Sequence, residues 1–290
     1  MLTVQAPAKV NLVLEVLERR EDYHIISSIA QTVDLCDTLS FEPADDLSLT
    51  CSAEELVQDN LVTRAASMLR ERFGIRAGAR MHLQKRIPWG AGLGGGSSDA
   101  AAALLALNGL WGIDAPAERL EALGAELGSD VPLFLHGGTV LVEGRGELVR
   151  RLGNHPTMHM VLMTPAAAVM PGKTGVMYRR LRPEMFTHGQ FVRAAAFALE
   201  RGRRVPEDLM YNVFENVADE VFPGMRGDRA LLEEAASVRV HLAGSGPCLY
   251  ALLSSQAAAA SAATHLAGRE HRVFVAQTLA PAAPQSVRDG

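Results

Sequence analysis

A chain of 290 residues has room for two domains at ~150 residues apiece, and its 48% hydrophobic content supplies an ample core. Its net charge of −5 argues against a broad nucleic-acid surface, which reads basic, and no apolar run approaches the ~20 residues that cross a bilayer. Three cysteines without metal-like spacing fit a reducing, cytoplasmic setting with neither a disulfide framework nor a metal-ligand set. The first residues also carry Lys9, Asn11 and Glu15 where a secretory leader needs an unbroken apolar run.

In chain order, 2–17 alternates. Ala8, Val10, Leu12, Leu14 and Val16 fall on one side and Lys9, Asn11 and Glu15 on the other, which predicts a half-buried strand with a polar face. Strands are predicted over 27–39 and 47–51, then a helix opened by Asn60, with Leu61, Val62, Ala65, Ala66 and Leu69 at helical spacing. A strand over 80–86 ends at Pro88 and a glycine loop, followed by helices over 98–110 and 116–127 and a hairpin over 137–149. A break at 152–156 divides the chain into an N-terminal domain, 1–153, and a C-terminal domain, 154–280, with a mobile tail over 281–290. In the second part a strand over 158–163 and a loop over 165–175 lead into helices over 176–181, 191–201, 209–221 and 228–236. Strands over 238–242 and 248–253 flank the loop AGSGP, and a helix covers 256–266. Strands and helices mix without strict alternation, which predicts an α+β fold.

The strongest local signal is Pro88-Trp89-Gly90-Ala91-Gly92-Leu93-Gly94-Gly95-Gly96-Ser97-Ser98, which runs straight into an Ala/Leu-rich helix. Glycines let backbone N–H groups turn inward against an anion, and the helix adds its positive N-terminal end. Ser97 and Ser98 add hydroxyls for phosphate oxygens or magnesium. Polyphosphate binding suits this arrangement. It is not a P-loop, since Gly96 is followed by serine rather than lysine, and the formal G-x-G-x-x-G match at Gly90, Gly92 and Gly95 lacks a continuous apolar strand before it. A flexible linker is the plainer alternative, and the immediate strong helix disfavours it.

Of the 28 basic residues, 25 are Arg and three are Lys. In such a chain a lysine marks a place where a compact ammonium cannot be exchanged for a planar fork. Lys9 and Lys85 stand beside motifs, whereas Lys173 reads as a solvated loop residue.

With PAKVNLVLEV near the start, PWGAGLGGGSSDAAAAL in the middle and HLAGSGPCLYAL near the end, the sequence resembles the GHMP small-molecule kinases. GSDVPLF at Gly128–Phe134, DNLV at Asp59–Val62 and YNVFE at Tyr211–Glu215 extend the likeness across the chain. The resemblance implies a two-domain α+β architecture, S5-like at the N-terminus and ferredoxin-like at the C-terminus, with the substrate in the cleft between. It further implies transfer of the γ-phosphate of ATP, with magnesium, to the 2-hydroxyl of a small molecule, CDP-methylerythritol. No nucleic acid or membrane partner is implied, and the chain would be a monomer or weak dimer.

A lone Asp130 reads better as a helix-cap or turn residue; the resemblance reverses this and makes it the catalytic carboxylate, with Lys9 beside it. Pro88 to Ser98, Asn60 and Lys85 would bind ATP, Asn60 doubling as an N-cap. Asn11, Tyr23, His24, Thr174, Tyr178, Gly244 and Ser245 would bind the substrate, with Tyr23 and Tyr178 enclosing the cytosine and His24 bonding to it. The chain departs from the family where Asp22 runs into Tyr23 without the usual glycine, where Ala30 replaces an aromatic and makes the pocket floor shallower, and at Val213. The alternatives are a sibling acting on homoserine or mevalonate, and a non-catalytic binding paralogue.

Overall fold

The computed structural model describes residues 1–21, 23–153, 156–165, 170 and 172–281; the missing glycine at Asp22, part of the boundary and of the 165–175 loop, and nearly all of the tail lie outside the described residues. The opening alternation becomes β1 (Leu2–Arg20), which turns back into β2 (Tyr23–Ala44), paired antiparallel from end to end. Both strands run beyond the expected 17 and 39, because backbone pairing continues through polar residues that carry no alternation. Three register shifts interrupt the ladder, at Pro7/Ala8, Asn11/Val13 and Val16/Glu18, and each changes the face that later side chains occupy.

The shift after Asn11 corrects the expected common face of Lys9, Asn11 and Glu15. Lys9 and Asn11 stay together, whereas the Glu15 carboxylate turns away and accepts the Phe191 and Val192 N–H groups at 3.4 and 2.8 Å. Nor is the polar face half-buried: Lys9 is 5% exposed and Glu15 0%, because the second half of the chain packs over it.

β3 (Leu47–Cys51) pairs parallel with β4 (Gly78–Gln84), the crossover being α1 (Leu61–Phe73). The chain continues through α2 (Gly95–Leu110), α3 (Ala117–Leu127) and α4 (Val131–His136) to the hairpin β5 (Thr139–Gly144) and β6 (Leu148–Arg151). The sheet order is β3-β4-β2-β5-β6, with β1 also on β2. α2 is alanine-rich and buried along most of its length, so α1, α3 and α4 approach it closely.

The second half holds β7 (His159–Pro165), α5 (Lys173–Arg180), α6 (Gln190–Glu200), α7 (Ala218–Val221), α8 (Met225–Ala236), β8 (Val240–Leu242), β9 (Leu249–Leu253), α9 (Gln256–His265) and β10 (His271–Gln277). Its sheet is antiparallel throughout in the order β10-β7-β9-β8, the first-to-last order 4-1-3-2 of a ferredoxin-like unit. β10 has no counterpart among the expected elements, although its Val273-Phe274-Val275 run carries strand propensity. The helix expected over 209–221 is broken. Asn212 accepts the Phe214 N–H at 3.0 Å and restarts the chain as a short 3₁₀ turn before α7.

The two halves share a core. Val10 and Leu12 of β1 pack in one cluster with Met160, Leu162 and Tyr250. The fully buried Tyr250 donates its hydroxyl to the Asn11 carbonyl at 2.8 Å, and Leu14 N–H reaches the Tyr211 carbonyl at 2.7 Å. β1 is thus fixed from both sides at the residues that face the cleft. No helix among the described residues is long and apolar enough to cross a membrane.

Candidate active site

The glycine loop takes its shape from its neighbours. Gly92 has φ +87°, and a Cβ there would stand 2.1 Å from the Ala243 carbonyl oxygen; Gly94 has φ +73°, and its Cβ would meet the Phe134 ring at 2.7 Å. Only glycine fits either place. Lys9 N–H donates to the Leu93 carbonyl at 3.0 Å and Cys248 N–H to the Ala91 carbonyl at 3.1 Å, so both halves of the chain hold the loop. α2 begins at Gly95 rather than the expected 98, inside the triple glycine, with Gly94 as an N-cap that offers no side chain. The first-turn N–H groups stay open to an anion, reinforced by the helix dipole.

Beneath the loop Lys85 Nζ bridges two carboxylates, Asp37 and, at 2.8 Å, Asp99. Asp37 Oδ1 also accepts the backbone N–H groups of Arg86 and Ile87, the latter at 2.8 Å. One cluster therefore ties the residues that follow β4 to the second turn of α2 and so anchors both ends of the loop. Burial pushes the Asp99 carboxyl upward, Asp37 adds to the shift, and Lys85 opposes it. For Lys85 the two carboxylates outweigh burial and hold its pKa above the ordinary lysine value. Lys85, expected to bind ATP, lines the cavity, but its ammonium is engaged by Asp37 and Asp99 and so holds the base of the loop. Ser98 likewise lies under the loop, 1% exposed, its Oγ buried without a partner.

Beside the loop, Lys9 Nζ donates to Asn11 Oδ1 at 2.8 Å, Asn11 Nδ2 to Ser28 Oγ at 2.8 Å, and Ser28 Oγ to the Val13 carbonyl at 2.6 Å. This chain fixes the Lys9 ammonium 3.8 Å from Asp130 Oδ2. Asp130 occupies the N-cap position of α4 and yet makes no side-chain cap bond, so its carboxylate stays 44% exposed and free to meet a ligand. The helix-capping reading fails here.

The facing wall comes from the second half. Gly244, at φ +54°, lies so close that a Cβ would meet the Gly92 carbonyl at 2.6 Å and Lys9 Nζ at 2.9 Å. Asn212 Nδ2 holds this loop by donating to the Leu242 and Gly244 carbonyls at 2.9 and 2.8 Å. Lys173 overturns the solvated-loop expectation: it is 7% exposed and donates to Ser245 Oγ at 2.9 Å, and Thr174 Oγ1 stands 3.0 Å from the same hydroxyl. α5 begins at Lys173, three residues before the expected start, and carries it inward.

The expected residues do not all converge. Lys9, Asn11, Asn60, Lys85, Pro88 to Ser97, Asp130, Thr174, Tyr178, Gly244 and Ser245 line one cavity of about 710 Å³; Tyr23, His24 and Ser98 do not. Tyr23 lies under the Arg145 guanidinium, 4.7 Å from ring centroid to Cζ, and His24 stacks on Tyr178 at 4.7 Å. His24 thus covers a face of Tyr178 that a base would use. Burial first, then Arg19, lowers the His24 pKa and keeps the ring neutral at pH 7, able to donate and accept. Asn60 caps α1 through Val62 N–H at 2.9 Å while lining the cavity, so its two readings coexist. Ala30 is fully buried in the main core and is no part of the cavity, which corrects the shallow floor assigned to it; Val213 is also core.

Asp37, Ser28, Asn212 and Lys173 were not legible as site residues. The rarity of lysine was the one available signal, and it pointed to Lys173. No group of three or more His, Cys, Asp or Glu side chains among the described residues gathers to hold a metal.

Residues 60–138 match the GHMP kinases N terminal domain. A 4-diphosphocytidyl-2-C-methyl-D-erythritol kinase from Dehalococcoides mccartyi is 43% identical over 97% of this chain and 99% of its own. One from Pelotomaculum thermopropionicum is 37% identical over 97% and 99%. A crystal structure of 4-(cytidine 5'-diphospho)-2C-methyl-D-erythritol kinase superposes with TM-score 0.80 at 37% identity, covering 95% of this chain and 98% of that one. A homoserine kinase from Cytophaga hutchinsonii shares the fold, with TM-score 0.74 at 19% identity over 97% and 95% of the two chains. With such identity over nearly the whole chain, this protein belongs to the 4-diphosphocytidyl-2-C-methyl-D-erythritol kinases of the GHMP kinase family.

Proposed function

We propose that the chain transfers the γ-phosphate of ATP to the 2-hydroxyl of 4-diphosphocytidyl-2-C-methyl-D-erythritol, giving the 2-phosphate and ADP, a cytoplasmic step of the non-mevalonate route to isoprenoid precursors. The observation that carries it is Asp130, uncapped and half exposed, 3.8 Å from the buried Lys9 ammonium and lining the same cavity as the glycine loop. The loop's open N–H groups receive the ATP phosphates. The acceptor oxygen bonds to the γ-phosphorus as the bridging bond to ADP breaks, and its proton passes to Asp130. Lys9 offsets the charge that grows on the transferring group. The all-oxygen set near the loop, the Ser97 hydroxyl and the Asp130 carboxylate, fits magnesium arriving on the ATP phosphates. That ion, when bound, neutralises polyphosphate charge. The nucleotide unit is assigned to 1–153 and the second unit to 154–280, following the change of sheet between Arg151 and His159.

Incubation with ATP, magnesium and each of three alcohols, the cytidine-linked one, homoserine and mevalonate, tests the reading by ADP release. Turnover confined to homoserine or mevalonate would overturn it.

For the base end, Tyr178 is the principal stacking ring. It lines the cavity, and burial, then Asp130, pushes its phenol up to about 12, so it stays neutral. Base entry requires His24 to lift from Tyr178. Stacking on an aromatic is worth about 1–3 kcal/mol per base, so Tyr178→Ala raises the acceptor KM about 5–150-fold. Tyr23→Ala costs less, since that ring lies under Arg145 outside the cavity. A larger KM increase for Tyr23→Ala refutes the assignment.

A further inference from the structure

All three lysines of this arginine-rich chain line the same cavity. Lys9 faces Asp130, and Lys85 bridges Asp37 and Asp99. Lys173 differs. It is buried, yet none of the ion pairs among the described residues includes it, and a hydroxyl, Ser245 Oγ at 2.9 Å, is what its Nζ meets. A second ammonium stands nearby, since Lys9 Nζ approaches Gly244, the residue before Ser245. Burial, with the Lys9 charge behind it, pulls the Lys173 pKa down to about 8, while Asp130 and the Cys248 thiol pull weakly the other way. A buried cation without a counter-charge destabilises a fold, so its retention calls for an anion that arrives with a ligand.

Position says which anion. Lys173 opens α5, an eight-residue helix whose N-cap, Gly172, offers no side chain; its own N–H goes to the Met170 carbonyl at 3.3 Å, and the helix N-terminus adds its positive end beside the ammonium. Tyr178 lies further along the same helix, at the base end of the cavity, and Lys9 and Asp130 mark the hydroxyl end. An acceptor stretched between them must place its diphosphate beside Lys173, Thr174 and Ser245.

We propose that Lys173, with Ser245 and Thr174, binds the diphosphate of the acceptor and so selects diphosphate-linked alcohols over uncharged ones. This rests on the functional reading above for the identity of the acceptor; the anion site itself does not. The first measurement is calorimetric titration of inorganic pyrophosphate into the full chain with the glycine loop saturated by ADP. Lys173→Met weakens pyrophosphate about 10–100-fold, the scale of a hydrogen bond to a charged group, and Lys173→Arg, which keeps the charge, loses less. With the cytidine-linked alcohol, Lys173→Met raises the acceptor KM by a like factor and leaves kcat and the ATP KM within about threefold. Its thermal midpoint equals or exceeds wild type, since a buried unpaired charge is gone. If the Met variant does not fold, Lys173→Gln serves for the same two measurements. Unchanged pyrophosphate affinity in a folded variant overturns the proposal. So does a fall in kcat with both KM values unchanged, which would place Lys173 on the phosphoryl group in transfer. Titration needs no turnover, so an inactive wild type would overturn the functional reading and leave the anion site judged by pyrophosphate.

Discussion

Asp130→Asn lowers kcat by about 10²–10⁴-fold while the affinity for ATP holds, because the amide keeps the carboxylate's shape and loses its charge and proton acceptance. The structure isolates that loss. Asp130 makes no cap bond to α4, so the helix start does not depend on the carboxylate. Its near charged neighbour is Lys9, at 3.8 Å, and Lys9 keeps its bond to Asn11 in the variant. Steady-state ADP release and a separate ATP titration check both halves. An Asn variant with wild-type kcat removes Asp130 from proton transfer.

Gly92→Ala damages nucleotide binding and stability together. The new Cβ would stand 2.1 Å from the Ala243 carbonyl oxygen and 2.9 Å from Gly246 N, both backbone atoms that no rotamer change can move. The left-handed φ of +87° adds strain of its own, about 1–3 kcal/mol for a residue held in a sparsely populated region. We expect the ATP dissociation constant to rise more than about tenfold, a loss above roughly 1.4 kcal/mol, and the thermal midpoint to fall. Gly227→Ala is the matched control, since a Cβ there meets nothing within 4 Å beyond its own helix backbone and α8 lies outside the cavity. An unchanged ATP constant in folded Gly92→Ala would show that the loop tolerates displacement there.

The legible parts of this protein are those whose chemistry is local. The glycine loop announced itself by composition, and Lys9 and Asn11 by their two-residue spacing on a strand. Composition still misplaced the start of α2, because glycines inside a first turn look like loop until the left-handed Gly94 is seen to end it. What stayed hidden depends on partners far along the chain. Asp37 meets Lys85 across 48 residues, Lys173 meets Ser245 across 72, and Glu15 caps α6 across 177. Glu15 was misread for a further reason, since a single register shift reverses the face of every later residue. Tyr23 and His24 rested on resemblance alone, and the structure leaves both outside the cavity, where an arginine and a tyrosine already cover them.

The backbone meeting of Gly92 with Ala243 and Gly244 bears on recombination between relatives. The glycine loop and the loop over 243–248 are fitted to each other atom against atom, with Cys248 N–H on the Ala91 carbonyl as a further tie. A chimera that joins the first half of one kinase to the second half of another would pair two surfaces that never evolved together. Such a hybrid should be rescued by carrying 88–98 and 243–248 over from a single parent, whatever the origin of the surrounding helices. The seam, rather than either sheet, is the unit that has to be inherited whole.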